Sequence, residues 1–385
     1  MEFMGYRRRD GRAGVRNHVL VVSSVSCASG VVEAIGRALP RVVTLTHAYG
    51  CGYASREDLR NSSRVITGLA NGANVGAVLF VGLGCEGLSA ESLARGVEGK
   101  PVETLVIQKD GGSAATTARG IEIAARFLKE LATQEREPVP VSELIVGLEC
   151  GGSDAFSGVT ANPAVGVAAD LLVVEGATVI LSETTEMIGT AQILKRRGST
   201  SEIGEQVEQL VKDHEKKVRE ALGDRAGMVI APGNIEGGLS SITEKSLGCI
   251  TKAGTTPINE VVGYAQRPDR RGLVIMDTPG YDIDSMAGMV GGGAQLVVFT
   301  TGRGSPAGFP ATPVIKVSSN SRMFNSMPGD MDVNAGTIAD DGGHTLGEVG
   351  REVFEAVLRV AGGHLTCAEL NRSQPFGYLK QGPTF

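Results

Sequence analysis

The sequence predicts an α/β fold made of two consecutive Rossmann-like βα domains with mainly parallel sheets. Short runs of Val, Ile and Leu alternate with longer segments of helical period, and no fixed-period repeat interrupts this alternation. Such a rhythm is typical of a parallel sheet covered by helices on both faces. Glycine supplies 54 of the 385 residues, roughly twice its usual share of about 7%. This excess indicates many tight turns between strands and helices.

The first domain is predicted to span residues 1–137. Its strands are the apolar, β-branched runs 18–25, 41–46, 76–81 and 102–107. Its helices have helical period between glycine or small polar residues, at 30–39, 56–71, 89–96 and 114–132. The charged segment QEREPVPV at 134–141 contains two prolines, which disfavour a continuing helix. We therefore predict the domain boundary and a linker there.

The second domain is predicted to span residues 138–385 and to repeat the βα order. Its strands are expected at 143–148, 273–276, 296–300 and 314–317. Its helices are expected at 163–174, 186–196, 202–222 and 346–361. The last of these has apolar residues at Val349, Val353 and Val357, a stripe with a spacing of four. We expect this helix to pack against the second domain.

Charge and hydropathy exclude several classes of partner. The formal net charge is −6, which gives no general attraction for nucleic acid or an anionic membrane. No apolar run reaches the ~18 residues of a membrane helix, and no signal-peptide core follows the first arginines. The six cysteines lie at irregular, distant positions, which suits a reducing compartment better than a disulfide framework. We predict a cytoplasmic protein.

Four cysteines share one sequence context. Cys27, Cys51, Cys85 and Cys150 each follow an apolar run by a few residues, next to glycine or another small residue. The carboxyl ends of parallel strands form the binding crevice of an open α/β sheet, and a thiol there is a potential metal ligand. His47, four residues before Cys51, adds an imidazole. The alternative is that these cysteines are small buried hydrophobes, the role we assign to Cys249 and Cys367.

Two glycine-rich loops follow predicted strands, at 151–158 and 300–305. Their backbone N–H groups are suited to an anion, and Arg303 in the second loop is suited to a carboxylate. Neither loop matches a phosphate-binding or dinucleotide-binding fingerprint. The alternative for each loop is a tight turn without a ligand.

Charged side chains occur in two further pairs. Glu183 and Glu186 follow a predicted strand, and such a pair either binds metal, transfers protons or is simply solvated. Lys245 and Lys252 are seven residues apart, on one face of a predicted helix. The alternative for the lysines is an exposed basic surface.

Taken together, these stretches resemble the altronate/galactarate dehydratase family of sugar-acid hydro-lyases over nearly the whole chain. The segments that carry the resemblance in the first half are GYRRRDGRAGVRN at 5–17, THAYGCG at 46–52 and GLGCE at 82–86. Those in the second half are ECGGSDAFSGVTANPAVG at 149–166, LSETTE at 181–186, GNIEGGLSSITEKSLG at 233–248, MDTPGYD at 276–282, FTTGRGS at 299–305 and DMDVNAG at 330–336.

The resemblance implies dehydration of an aldonic or aldaric acid to a 2-keto-3-deoxy acid, assisted by a divalent metal. Fe²⁺ is the expected metal, with Mn²⁺ or an iron–sulfur cluster as alternatives. The implied metal ligands are His47, Cys51, Cys85 and Cys150, with Cys27 less certain. The implied catalytic residues are His47, Lys245 and Arg303, and the implied substrate-binding residues are Ser153, Asp154, Asn162 and Arg303.

Single-chain members of this family resemble the present sequence only after an amino-terminal domain of about 100 residues, an ordinary domain size. We therefore expect a large subunit that works with a small SAF-domain subunit, and we expect a homo-oligomer. One alternative is the large subunit of a sulfolactate sulfo-lyase, against which the thiols at Cys51 and Cys85 argue. Others are a nicotinamide-dependent dehydrogenase, which lacks its fingerprint here, and a non-catalytic scaffold subunit.

Overall fold

The computed structural model of the chain describes residues 1–223, 225 and 229–383. The last two residues of the predicted second domain, 384–385, lie outside this description. Within it, the chain forms a four-stranded and a seven-stranded parallel sheet and a small antiparallel sheet of three strands. Strands and helices alternate along both halves. The predicted α/β fold class with mainly parallel sheets is confirmed.

The small antiparallel sheet joins the start of the chain to the segment between the two larger sheets. Its order is β2-β1-β7, and Phe3 lies opposite Val139. The segment predicted as a linker therefore contains a strand. Its prolines are tolerated because β7 is an edge strand, where a missing N–H breaks no ladder. The bounds are β1 Glu2–Arg7, β2 Ala13–Gly14 and β7 Glu137–Pro140.

The four-stranded sheet has the order β4-β3-β5-β6, and each of its strand pairs is parallel. Its strands and helices follow the predicted positions closely. The strands are β3 His18–Ser23, β4 Val43–Leu45, β5 Val75–Gly82 and β6 Val102–Val106. The helices are α1 Ser29–Ala38, α2 Arg56–Asn71, α3 Ala90–Arg95 and α4 Gly112–Leu131.

The seven-stranded sheet has the order β10-β11-β9-β8-β12-β13-β14, also with parallel pairs. The strands are β8 Ile145–Cys150, β9 Thr178–Leu181, β10 Ile258–Val262, β11 Gly272–Met276, β12 Leu296–Thr301, β13 Val314–Ser318 and β14 Val333–Asn334. The helices are α5 Ala161–Val174, α6 Ala191–Lys195, α7 Ser201–Leu222, α8 Pro232–Glu236, α9 Ile242–Cys249, α10 Asp282–Gly291, α11 Ser321–Ser326, α12 Leu346–Ala361 and α13 Cys367–Leu370.

One predicted helix is wrong. The segment 186–196 is not continuous: a short 3₁₀ turn covers Thr184–Met187, and α6 begins only at Ala191. Gly189 between them has a φ of +81°, a left-handed conformation that ends helical propagation. The break turns Glu186 inward, where it is buried.

Helices cover the sheets in layers, and the two halves share one of the hydrophobic cores. Apolar side chains of α1 and α4 cover one face of the four-stranded sheet, and those of α5 and α12 cover one face of the seven-stranded sheet. Between the sheets, α2 and α10 contribute to a common core. A Cβ on Gly68 would lie 2.1 Å from the Gly291 carbonyl oxygen, so glycine allows these helices to touch. The division into domains 1–137 and 138–385 stays a prediction.

Strand order brings three consecutive carboxyl ends together, because β9, β8 and β12 are neighbours in the larger sheet. Ligand sites of open α/β sheets lie at such ends. In the described part of the chain, no helix is long and apolar enough to cross a membrane.

Candidate active site

Strand β8 delivers two functional side chains to opposite faces of the sheet. Glu149 and Cys150 are consecutive strand residues, so their side chains alternate, and both are buried. Glu149 Oε2 accepts a hydrogen bond from Ser285 Oγ of α10 at 2.7 Å. The Cys150 thiol donates to Glu186 Oε2 at 2.7 Å and lies 3.7 Å from the Cys249 sulfur. The strand end therefore separates a carboxylate side from a thiol side.

Glu183, just after β9, connects the two sides. Its backbone is left-handed, with a φ of +66°, an uncommon conformation for a residue with a side chain. Its N–H donates to Thr278 Oγ1 at 2.7 Å, which helps hold that conformation. Its Oε2 accepts from the Cys150 N–H at 2.9 Å and from Lys252 Nζ at 2.5 Å. Strain at such a position is a frequent marker of a functional site.

Two lysines from the α9 region neutralise the two glutamates that follow β9. Lys245 on α9 pairs with Glu186, and Lys252 in the next turn pairs with Glu183. The Lys252 side chain is fully buried, so the exposed basic surface considered for these lysines is not what the structure has. Their spacing of seven residues aims both ammonium groups at the end of the sheet.

The electrostatics of this cluster assign a charge state to its members. Burial alone would raise the pKa of Glu186, but the ammonium groups of Lys245 and Lys252 lower it. Burial likewise opposes the charge on Lys245, yet Glu186 raises its pKa above the usual range. The hydrogen bond with Cys249, together with burial, raises the pKa of the Cys150 thiol. Glu186 and Lys245 are thus charged at neutral pH, and Cys150 is a thiol.

A cavity of about 570 Å³ opens onto this pair. Glu186 and Lys245 line one part of it, and Asp282 and Arg303 line another. The Arg303 guanidinium donates to Glu236 Oε2 at 2.8 Å. A cavity lined by an acid–base pair and a guanidinium can accept a small carboxylic acid.

The substrate-binding residues expected from the sequence lie nearby, in different situations. Asp154 accepts hydrogen bonds from Ser157, Ser319 and Asn320. Asn162 accepts from Thr300 and donates to the Gly248 carbonyl. Ser153 is buried, and its hydroxyl has no hydrogen-bond partner among the described residues. Binding of substrate by these three residues stays a prediction.

Three of the predicted metal ligands lie at the carboxyl end of the other sheet. His47 is buried after β4, whereas Cys51 and Cys85 are exposed, as is Cys27. Their loops are held together, since the Gly87 N–H donates to the Gly50 carbonyl at 3.1 Å and the Ser26 N–H donates to the Tyr49 carbonyl at 2.8 Å. Burial lowers the pKa of His47 to about 4.

Comparison with known proteins agrees with this architecture. The family model described as D-galactarate/altronate dehydratase, C-terminal, matches residues 141–384. The model described as D-galactarate dehydratase/altronate hydrolase, second domain, matches residues 5–132. The chain belongs to the D-galactarate/altronate dehydratase family. The predicted enzyme class, a carbon–oxygen lyase of the hydro-lyase type, is confirmed with it.

Three relatives illustrate the range of this family's neighbours. The chain is 40% identical to the galactarate dehydratase (L-threo-forming) of Escherichia coli, covering 94% of this chain and 73% of that protein. It is 32% identical to the altronate dehydratase of Bacillus subtilis, covering 99% and 78%. It is 33% identical to the (2R)-sulfolactate sulfo-lyase subunit beta of Chromohalobacter salexigens, covering 95% and 94%.

The resemblance to this family implies a divalent metal, and two groups of side chains in the described residues have ligand atoms within 4.8 Å of one another. In the group Cys150, Glu183, Glu186 and Cys249, both carboxylates already pair with lysines. That group does not fit an additional cation. Cys51 and Cys85 fit a thiophilic metal by donor type and exposure, but neither they nor His47 join a group that includes Cys150.

Sequence reasoning singled out Lys245 and Arg303 and missed several of their neighbours. Cys249, assigned to packing, lies against Cys150, and Glu183 and Lys252 form a buried ion pair. The LSETTE segment carried the resemblance and was the available signal for the glutamates. Nothing local to the sequence marked Asp282, which reaches the cavity from the start of α10.

Proposed function

We propose that the chain dehydrates a sugar acid, an aldonate or an aldarate, to a 2-keto-3-deoxy acid. The observation that carries this proposal is the cavity where the Lys245–Glu186 pair faces the same space as Arg303. Dehydration beside a carboxylate requires a group to hold that carboxylate, a base for the α-proton and an acid for the leaving hydroxyl. The cavity offers one side chain for each task.

Arg303 binds the substrate carboxylate. Its guanidinium is partly exposed, and Glu236, its partner, has a side chain that is 65% exposed. An exposed ion pair of this kind contributes about 0–1 kcal/mol, so a substrate carboxylate displaces Glu236 at little cost. Bidentate binding then fixes the position of the α-carbon relative to the pair on the far wall.

Glu186 and Lys245 transfer the two protons. The Glu186 carboxylate takes the α-proton, and the electron pair of that C–H bond forms the C=C bond of the enol. The Lys245 ammonium protonates the hydroxyl on the next carbon, which leaves as water with the electrons of its C–O bond. The proton on Glu186 then returns to Lys245 through their direct contact, and the enol tautomerises to the keto acid.

The divalent metal remains part of the proposal. Fe²⁺, with Mn²⁺ or an iron–sulfur cluster as alternatives, would be held by the set that the resemblance implies, His47, Cys51, Cys85 and Cys150. When bound, it supplies a Lewis acid for the oxygens of the enediolate. The Arg303, Glu186 and Lys245 side chains bind the substrate and move its protons.

A small SAF-domain partner subunit and a homo-oligomer are also proposed. Their support is the likeness to the (2R)-sulfolactate sulfo-lyase subunit beta, of whose length the alignment covers 94%. That relative also supplies the alternative substrate class, a sulfonated hydroxy acid.

The test is a screen of aldonates, aldarates and sulfolactate for 2-keto-acid formation, with Fe²⁺ under anaerobic conditions. It is run with and without a co-expressed SAF-domain subunit. Lys245→Met should lose activity, while Lys129→Met, which changes an exposed lysine on α4, should retain it. Release of sulfite from sulfolactate, without turnover of any sugar acid, would overturn the proposal.

A further inference from the structure

Three carboxylates meet on the face of the larger sheet opposite the thiols. Glu149 ends β8, Glu183 follows β9, and Asp282 begins α10. One oxygen of each lies within 4.8 Å of an oxygen of the other two. Both glutamates are fully buried, whereas Asp282 also lines the cavity that contains Lys245. The group is therefore inside the protein, with one member at the cavity wall.

Two oxygens of this group have no hydrogen-bond partner among the described residues. Glu149 Oε1 and Glu183 Oε1 are both buried and unpaired, although the Oε2 atom of each residue is hydrogen-bonded. A buried carboxylate oxygen without a donor or a cation is costly, and native structures rarely leave one. Two such atoms in one small group point to a ligand that contacts both.

The neighbouring side chains leave most of the negative charge uncompensated. Only Glu183 has an ion-pair partner within the described residues, namely Lys252. Glu149 receives hydrogen bonds from the neutral hydroxyls of Ser285 and Ser182. Lys316 is buried nearby, but its Nζ lies 3.3 Å from the centre of the Phe299 ring and makes no hydrogen bond.

We propose that Glu149, Glu183 and Asp282 bind a divalent cation that prefers oxygen ligands, such as Mn²⁺ or Mg²⁺. Carboxylate oxygens are the ligands such ions select, and water completes their octahedral coordination. This site is separate from the thiol set implied for iron. The inference deepens the proposed function, on which it rests only for the part the cation plays in turnover.

The site lies where such a cation is useful. Asp282 and Lys245 line the same cavity, so a cation on the carboxylates is next to the space in which the sugar acid reacts. Glu183 shares its Oε2 with the Cys150 N–H and Lys252, and its other oxygen is available for the cation. The ion pair with Lys252 therefore orients a ligand without blocking it.

The test is a titration of the full-length chain with Mn²⁺, followed by the EPR signal of the free ion. The wild-type protein should bind Mn²⁺ at one site and release it to Mg²⁺. Asp282→Asn and Glu149→Gln should each weaken binding by about 10-fold or more, since each removes an anionic ligand. Asp269→Asn, on an exposed loop, and the double variant Cys51→Ser/Cys85→Ser should bind as the wild type does.

A rise in Tm with Mn²⁺ provides a second readout. It should occur in the wild type and shrink in Asp282→Asn, whose side chain is at the cavity wall and whose loss the fold tolerates best. Absence of Mn²⁺ and Mg²⁺ binding by the wild type would overturn the inference and leave Lys316 as the compensating charge. Binding lost in Cys51→Ser/Cys85→Ser but kept in Asp282→Asn would also overturn it. Mn²⁺ binding without turnover of any sugar acid would instead reject the proposed function alone.

Discussion

Removing the ammonium group of Lys245 should damage stability and turnover together. In Lys245→Met the side chain keeps its length and apolar stem but leaves Glu186 without its principal counter-charge. The two side chains are 12% and 3% exposed, so the ion pair is a buried one. Breaking a buried pair from one side costs about 3–5 kcal/mol of unfolding free energy. Loss of a positioned proton donor lowers kcat by about 10²- to 10⁴-fold.

The double variant Lys245→Met/Glu186→Gln separates the two effects. With the uncompensated carboxylate gone, part of the lost stability should return, and coupled neighbours typically differ from additivity by about 0.5–3 kcal/mol. Turnover should not return, because both proton-transfer groups are then absent. Urea unfolding followed by circular dichroism measures the first effect, and 2-keto-acid formation measures the second. A single variant with wild-type stability and wild-type kcat would refute the reasoning.

Three further predictions concern the carboxylate clamp, the helix contact and the pH dependence. Arg303→Lys should raise KM by about 10-fold or more, because Lys cannot bind a carboxylate bidentately; an unchanged KM in steady-state kinetics would remove Arg303 from the site. Gly68→Ala should destabilise by about 1–3 kcal/mol in urea unfolding, because the new Cβ meets the Gly291 carbonyl, whereas Gly347→Ala, with open space around it, should stabilise slightly. Equal effects of the two would contradict the proposed packing. Burial, assisted by the charge of a neighbouring arginine, lowers the pKa of His18 to about 4, below the ~6.5 of the unfolded chain. The unfolded state then binds more protons in this window, so stability should fall by about 2 kcal/mol between about pH 7 and pH 5; a His18→Gln variant with the same pH dependence would contradict this.

Local sequence signals were sufficient for most of the fold. The βα rhythm located the strands of both parallel sheets, and the closing helix begins and ends where its apolar stripe predicts. The signals failed where an interruption decided the structure. Apolar period favoured one helix across 186–196, but the left-handed Gly189 breaks it, and this break buries Glu186.

The candidate site was only partly predictable because it is assembled by strand order. Cys150, Glu183 and Glu149 become neighbours because β8 lies beside β9, which no residue spacing reveals. The cysteines were expected to converge because each ends a strand, but Cys51 and Cys85 follow strands of one sheet and Cys150 ends a strand of the other. Burial of Lys252 depends on Glu183, some 70 residues earlier, and is likewise a tertiary property.

The central claim is that Lys245 and Glu186 dehydrate a sugar acid in the cavity they share with Arg303. The most direct measurement is NMR of galactarate and altronate turnover in D₂O by the wild type and by Glu186→Gln, with Fe²⁺, Mn²⁺ and the small subunit supplied. We expect the wild type to form a 2-keto-3-deoxy acid carrying deuterium at C3, because the enol takes its new proton from solvent, and Glu186→Gln to form it at least about 100-fold more slowly. Equal rates for the two proteins, or no keto acid from either substrate, would contradict the claim.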